Sequence, residues 1–345
     1  MLKTASFHSL TTVPNGEWQF AEGLNVIIGE NGMGKSHVLK ALYSILKTQS
    51  VRTEDLTKTN LEKSYAEKLA RVMRPESLGR LVKRKQGRDR CEIRLNMKQT
   101  KQSSAIGFAT NAKSLVDVVQ VPQTILTQSP VYLPTRELVT LCPWFLNLYD
   151  NYHLEFEETW RDTVSLLGAP SVKGPRETRA AELLKPLEEA LGGKVEMDAP
   201  SGRFYLRVTG EGRMEMPLVA EGLRKFAMLA RLISTGVLLD KGYLFWDEPE
   251  TNLNPKLIKT LAKSIVNLTA QGIQVFIATH SLFLLREFEI LLSNRTDGQR
   301  VPARYFSLSL EDEAVVLHQS DDMGSIGFIT SLEESLAQSD RYMDL

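Results

Sequence analysis

The chain has 345 residues, 42% hydrophobic and 24% charged, with 42 basic and 42 acidic side chains and a formal net charge of zero. This is the composition of an ordinary globular protein long enough for a large core, and it excludes a global field that would draw the chain onto nucleic acid or an anionic membrane. No stretch is long enough to span a bilayer, the opening Met1–Gly16 lacks the apolar run of a signal peptide, and the distant Cys91 and Cys142 have no disulfide or metal-ligand spacing, so reduced thiols in a cytoplasmic protein are expected.

In chain order, Phe7 to Ile28 alternates apolar and polar residues around the turn signal Pro14-Asn15-Gly16. The pattern predicts an antiparallel hairpin through Trp18 and Phe20, then a strand over Leu24–Ile28. A glycine-rich turn leads into Val38, Leu39, Leu42, Ile45 and Leu46, whose helical spacing predicts an amphipathic helix to about Lys47. Thr48 to Lys113 is polar and charged; two short strands, Glu92–Met97 and Ala105–Ala109, are expected there in a β-rich lobe. The same stretch carries a basic run, Arg80, Lys83, Arg84, Lys85, Arg88, Arg90 and Arg94.

Pro130–Pro134 is strand-like, and Thr135 to Leu191 is patterned as helix apart from a loop at Gly168–Pro175. Strands are expected at Phe204–Val208 and Arg213–Met216, and an apolar helix over Leu223–Leu239. Then follow a buried strand Tyr243–Trp246, a helix Pro255–Gln271, a buried strand Gln274–Ala278 and a helix Ser281–Ser293. Two strands (Ala303–Leu308, Glu313–His318) and a short tail complete the chain. Strand-helix alternation with fully apolar strands predicts an α/β fold whose mixed, mainly parallel sheet is covered on both faces, with an antiparallel β lobe and a helical insertion. The expected division is 1–134, 135–200 and 201–345. No internal repeat and no sustained heptad pattern occur.

Three motifs carry chemistry. Gly29-Glu30-Asn31-Gly32-Met33-Gly34-Lys35-Ser36 matches the phosphate-binding loop pattern in full and lies between a predicted strand and a predicted helix. Glycines let successive N–H groups curl toward phosphate oxygens and the helix presents its positive end. Lys35 would contact the β- and γ-phosphates of ATP and the Ser36 hydroxyl would bind Mg²⁺. The second motif, Tyr243-Leu244-Phe245-Trp246-Asp247-Glu248-Pro249, is an apolar strand ending in two carboxylates. Asp247 fits as a Mg²⁺ partner through water, and Glu248 as the base that polarises the attacking water, although Asp-Glu-Pro would also make a plain turn. Third, His280 directly follows the strand Gln274–Ala278 and would hydrogen-bond the γ-phosphate and the water.

These elements resemble the ATP-binding-cassette ATPases, and more narrowly the branch with chromosome-maintenance (SMC) heads, the RecF recombination mediator and the overcoming-lysogenization-defect proteins. The resemblance runs in order from Phe7 to His280, loosely through the middle of the chain. It implies an ABC-type head in which Glu250–Asn254 crosses to a partner subunit and His280 is the switch histidine. By the same resemblance Leu218-Val219-Ala220-Glu221-Gly222-Leu223-Arg224-Lys225 is the family signature, which completes the partner's site. The family's serine is replaced here by Ala220 and one glycine by Glu221, so the hydroxyl contact is missing. A glycine-started helix would give similar letters. Gln120, Gln123 and Gln128 are candidates for the glutamine loop, none of them assigned.

The implied mechanism is an ATP-sandwich homodimer, with Asn254 and the Ala220–Gly222 element reaching the second site. The chain has no room for long coiled-coil arms, and no nuclease domain is expected from its short tail with Asp321-Asp322 and Glu333-Glu334. Two roles fit: the ATPase and sensor subunit of a prokaryotic defence or toxin-type system that controls a separately encoded effector, or a RecF-like DNA-binding clamp in repair. The resemblance to arm-less members of the branch, including Pro134-Thr135-Arg136-Glu137, favours the first. The run Arg80–Arg94 is the best support for the second, unless it is simply a solvated charged face.

Overall fold

The computed structural model describes all residues except 51–56, 85–86, 153, 241, 294–300, 328 and 345, together with the side chain of 331. Lys85, of the basic run, lies outside the described residues. In chain order the elements are β1 (Leu2–His8), β2 (Gly16–Gln19), β3 (Leu24–Gly29), α1 (Lys35–Ser50), α2 (Lys58–Met73), β4 (Arg90–Met97), β5 (Ser104–Ala109) and β6 (Asp117–Gln120). Then come β7 (Val131–Leu133), α3 (Phe145–Tyr152), α4 (Glu158–Leu167), α5 (Pro175–Leu191), β8 (Gly193–Met197), β9 (Phe204–Val208), β10 (Gly212–Glu215) and α6 (Glu221–Ser234). The last are β11 (Tyr243–Asp247), α7 (Pro255–Ala270), β12 (Gln274–Thr279), α8 (Leu282–Ser293), β13 (Ala303–Glu311), β14 (Ala314–Ser320) and α9 (Thr330–Met343). They form two compact units, Met1–Pro130 with Phe276–Leu282 and Pro302–Leu345, and Val131–Val275 with Phe283–Val301.

In the first unit the predicted hairpin is present, but its first strand begins at Leu2, ahead of the predicted start, and pairs Ala5 with Trp18. The connection is held where Ser9 N–H donates to Asn15 Oδ1 at 2.8 Å. β1 continues into an antiparallel sheet of order β2-β1-β4-β5-β6, with Phe7 opposite Ile93 and Ile93 opposite Ile106. A second set of strands has the order β14-β13-β3-β12. There β13 runs parallel to β3, with Phe306 beside Ile27, and β14 closes the edge antiparallel. Trp18 stacks on Phe306 (centroids 5.2 Å) and Phe20 meets Phe276 edge-on (5.1 Å), so the hairpin's apolar face is fastened to these strands.

Two helices of this unit were not expected. α2 lies in the stretch read as β lobe. Leu61, Tyr65, Ala66, Leu69 and Val72 are buried at helical spacing, but the lysines, glutamates and arginines between them hide the pattern. It packs through a polar knot in which buried Gln49 Nε2 donates to Tyr65 Oη (3.1 Å) and Ser104 Oγ (2.6 Å). α9 stands where only a short tail was expected, and its sequence is almost entirely exposed.

In the second unit β7 pairs parallel with β11, Tyr132 beside Phe245. The helical insertion forms as α3, α4 and α5, centred on buried Phe145 with Phe156 (5.5 Å) and Tyr149 (5.8 Å) around it. α5 ends on left-handed Gly192, and the unpredicted β8 completes a three-stranded antiparallel sheet, β10-β9-β8. α6 begins at Glu221, two residues earlier than read, and buries Phe226, Met228, Leu229, Leu232 and Ile233. Cys91 is buried, Cys142 is half-buried, and both are free thiols; desolvation pushes the Cys142 thiol up to about 12.

Candidate nucleotide site

The first unit holds the phosphate-loop motif as a β3–loop–α1 connection. β13 runs so close beside Gly29 that a Cβ there would sit 2.7 Å from the Leu308 carbonyl oxygen. At Gly34, with φ +95°, a Cβ would meet Thr12 Oγ1 at 3.1 Å, so both the conformation and the space exclude a side chain. Lys35 opens α1 and is 5% exposed. Its ammonium donates to the carbonyls of Gly29 (2.7 Å) and Glu30 (2.9 Å), which places a buried positive charge inside the curl of the loop. Ser36 follows in the first turn, where helix N–H groups without intrahelical partners and the positive end of the dipole add to the same potential.

His280 directly follows the last residue of β12, Thr279, in the same unit. It lines a cavity of about 400 Å³ together with Gly29, Glu30 and Asn31 of the loop and with Thr330 and Glu334 of α9. Thr330 Oγ1 donates to Glu30 Oε1 at 2.9 Å, a contact no sequence pattern announced.

The second unit holds the acidic pair. Asp247 is the last residue of β11 and is 8% exposed. Tyr132 Oη reaches its Oδ2 at 3.5 Å, and burial, reinforced by the Asp247 charge, holds the Tyr132 hydroxyl well above its ordinary pKa, so it stays a donor. Glu248 takes φ +45°, a left-handed conformation that costs a non-glycine residue about 1–2 kcal/mol. Its carbonyl accepts from Thr251 Oγ1 (2.9 Å), Thr251 N–H (3.3 Å) and Lys225 Nζ (3.2 Å). The Asp-Glu-Pro segment is therefore a turn, and a strained one. Beyond it Leu253 N–H bonds the Glu250 carbonyl (3.0 Å), and the Asn254 side chain caps α7 by accepting from Leu257 N–H (3.0 Å).

The signature-like segment lies against this turn. Ala220 is the N-cap of α6 and makes no side-chain cap; Glu221 is the first helical residue. A Cβ on Gly222 would come within 2.4 Å of the Asn252 carbonyl oxygen, so this glycine is required by packing inside its own subunit. Arg224 donates to the carbonyls of Val219 (2.7 Å) and Pro217 (2.8 Å) and to Glu137 Oε1 (3.3 Å). Glu137, 8% exposed, also accepts from Thr140 Oγ1 at 2.8 Å. Glu137 and Lys225 were not among the expected site residues. The sequence offered them only as letters of Pro134–Glu137 and of the signature-like segment, with no role of their own.

Thus the structure brings Gly29–Ser36 and His280 together in one unit, and Asp247, Glu248, Asn254 and Ala220–Gly222 in the other. The basic run is partly consumed: Arg80 pairs with Glu76 (3.4 Å), and Arg90 with Asp117 (2.7 Å) and Glu92 (3.4 Å). Gln120 accepts from Arg94 at 3.2 Å.

Residues 132–286 match the family model described as "AAA domain, putative AbiEii toxin, Type IV TA system". No curated protein matches the chain. Among solved structures, an SMC head bound to the C-terminal winged-helix domain of ScpA aligns over 95% of this chain and 99% of that one, at 12% identity and a TM-score of 0.59. An SMC head with an extended coiled coil bound to the C-terminal domain of ScpA, from Pyrococcus furiosus, aligns over 99% of both chains at 12% identity and a TM-score of 0.54. The chain has the fold of an SMC head. The expected P-loop architecture, with its mixed sheet, antiparallel lobe and helical insertion, is met in that head. Among its described residues no helix is long and apolar enough to cross a membrane.

Proposed function

We propose that this head binds ATP with Mg²⁺ and hydrolyses it. In the first unit the residues present fit the nucleotide: the amides of Gly29–Gly34 and the Lys35 ammonium would hold the β- and γ-phosphates and the Ser36 hydroxyl would bind Mg²⁺; in the second unit the motif resemblance assigns the buried Asp247 carboxylate to the metal through water. Bound there, Mg²⁺ would neutralise phosphate charge. Glu248 would polarise the attacking water and His280 would hydrogen-bond the γ-phosphate. Hydrolysis of this kind is a matter of positioning and electrostatics. Ala220–Gly222 and Asn254 are assigned to the second wall of an ATP-sandwich homodimer.

The observation that carries the reading is Lys35, a buried ammonium drawn into its own loop at a helix start where two flanking glycines admit no side chain. The test is uptake of labelled ATP by a Lys35→Ala protein. Affinity is expected to fall on the order of 100-fold, since charge-assisted hydrogen bonds are lost. Parent-like uptake would remove the proposal.

We further propose that the ATPase is the sensor subunit of a prokaryotic defence or toxin-type system, with a separately encoded effector docking on the insertion at 135–200. The toxin wording of the matched family supports this reading. The DNA-clamp alternative draws less support, because Arg80 and Arg90 are already in ion pairs. Salt-dependent DNA retention lost on changing Arg84 and Arg88 to Ala would reverse that preference.

A further inference from the structure

Lys225 is not used by the reading above, yet it is one of the most buried charges among the described residues, 1% exposed on α6. Burying an ammonium costs several kcal/mol unless it is well partnered, and an apolar side chain of similar volume would avoid that cost. Its helical neighbours Phe226, Ala227, Met228 and Leu229 are all core residues, and the charges that face it are Glu250, Glu248 and Asp247 of the acidic turn and Glu221 at the start of α6. Desolvation pulls its pKa from 10.5 down to about 8, against the opposing pull of Glu250, Glu248, Glu221 and Asp247, so it remains mostly protonated at neutral pH.

The hydrogen bond it makes is to the carbonyl of Glu248, at 3.2 Å. That residue carries the left-handed backbone of the turn (φ +45°), and the orientation of this peptide sets the direction in which the Glu248 side chain leaves the chain. Thr251 reaches the same oxygen from within the turn, whereas Lys225 reaches it from α6. We propose that Lys225 is a positioning residue: it pins the Glu248 carbonyl to α6, holds the strained backbone in place and so fixes the aim of the Glu248 carboxylate at the attacking water. Because α6 starts at the Ala220–Gly222 element, whatever holds that end of the helix also holds Glu248.

The inference deepens the ATPase reading and rests on it for its kinetic consequence. In a Lys225→Met protein kcat for ATP hydrolysis is expected to drop about 100-fold. The Kd for a fluorescent ATP analogue should stay within about twofold; the melting temperature is expected to fall, since Glu250 and Asp247 stay buried without this cation, so rate and affinity are compared well below the melting transition of both proteins. Lys225→Arg, which keeps a donor, should recover most of the rate. A Lys225→Met protein with parental kcat, or one whose loss of rate is matched by an equal loss of nucleotide binding, would overturn the positioning role. If the parent itself does not hydrolyse ATP, the ATPase reading falls and Lys225 is judged separately in crystals of the Met variant. Glu248 leaving the left-handed region sustains the proposal, and Glu248 remaining at positive φ overturns it.

Discussion

At Gly222 one absent carbon makes room for the loop that follows the acidic turn. The resemblance reads this glycine as part of a signature for a partner's nucleotide, while the structure gives it a reason within its own subunit: the Asn252 carbonyl occupies the space a Cβ would need, 2.4 Å away. Gly222→Ala should therefore displace the 250–254 loop and destabilise the protein by about 1–3 kcal/mol, the usual range for overpacking, measured as a shift in urea midpoint at unchanged slope. Unchanged stability would mean the loop moves freely, and the packing argument would fail. The loop that folds around Lys35 was legible letter by letter, because the glycines that let it curl stand at a fixed spacing before the lysine. Glu137 and Lys225 were not. Their roles arise from segments 87 and 23 residues distant, and a charged side chain gives no sign in one dimension of the carbonyl or guanidinium it will meet.

At the scale of elements, α6 is tied at three points. Arg224 holds Glu137, Lys225 holds the Glu248 turn, and Arg231, 4% exposed, donates to the Leu167 carbonyl (2.9 Å), the Ala169 carbonyl (2.6 Å) and Ser171 Oγ (2.8 Å). The last tie fastens the α4–α5 loop of the helical insertion to the helix that starts at the signature-like segment. Arg231→Met leaves the buried Leu167 carbonyl and the half-buried Ala169 carbonyl without this donor and is expected to cost about 1–3 kcal/mol in chemical denaturation. Lys should not rescue it, since one ammonium cannot span three acceptors as a guanidinium fork does. A Lys variant as stable as the parent would show that charge alone matters there. Periodicity revealed α1, α6 and α7, whose buried faces are mainly apolar. It missed α2 and α9, where charged residues dominate the letters, and β8, which pairs with β9 as an edge strand and is only half-buried.

For the whole molecule, the proposed sandwich predicts that a Glu248→Gln protein, able to bind ATP but slow to cleave it, sediments as a dimer with ATP and Mg²⁺ and as a monomer without. Removal of Mg²⁺ by a chelator should return it to monomer, because the β- and γ-phosphate charge is then no longer neutralised. A monomer under all three conditions would sink the sandwich while leaving nucleotide binding intact.

Local patterning made the glycine-rich loop between β3 and α1, the buried strand ending in Asp247-Glu248 and the α/β fold readable from the amino acids alone, because turns and buried strands each require particular side chains at short, fixed spacings. Only the folded chain decided the rest. The chain leaves its first unit at Pro130 and re-enters it at Phe276, so the partners of Glu248, Gly222 and Arg231 are chosen by packing between segments far apart in sequence. The reason is physical: a buried charge or a missing Cβ is meaningful only against the atoms that surround it, and those atoms are supplied by the tertiary structure.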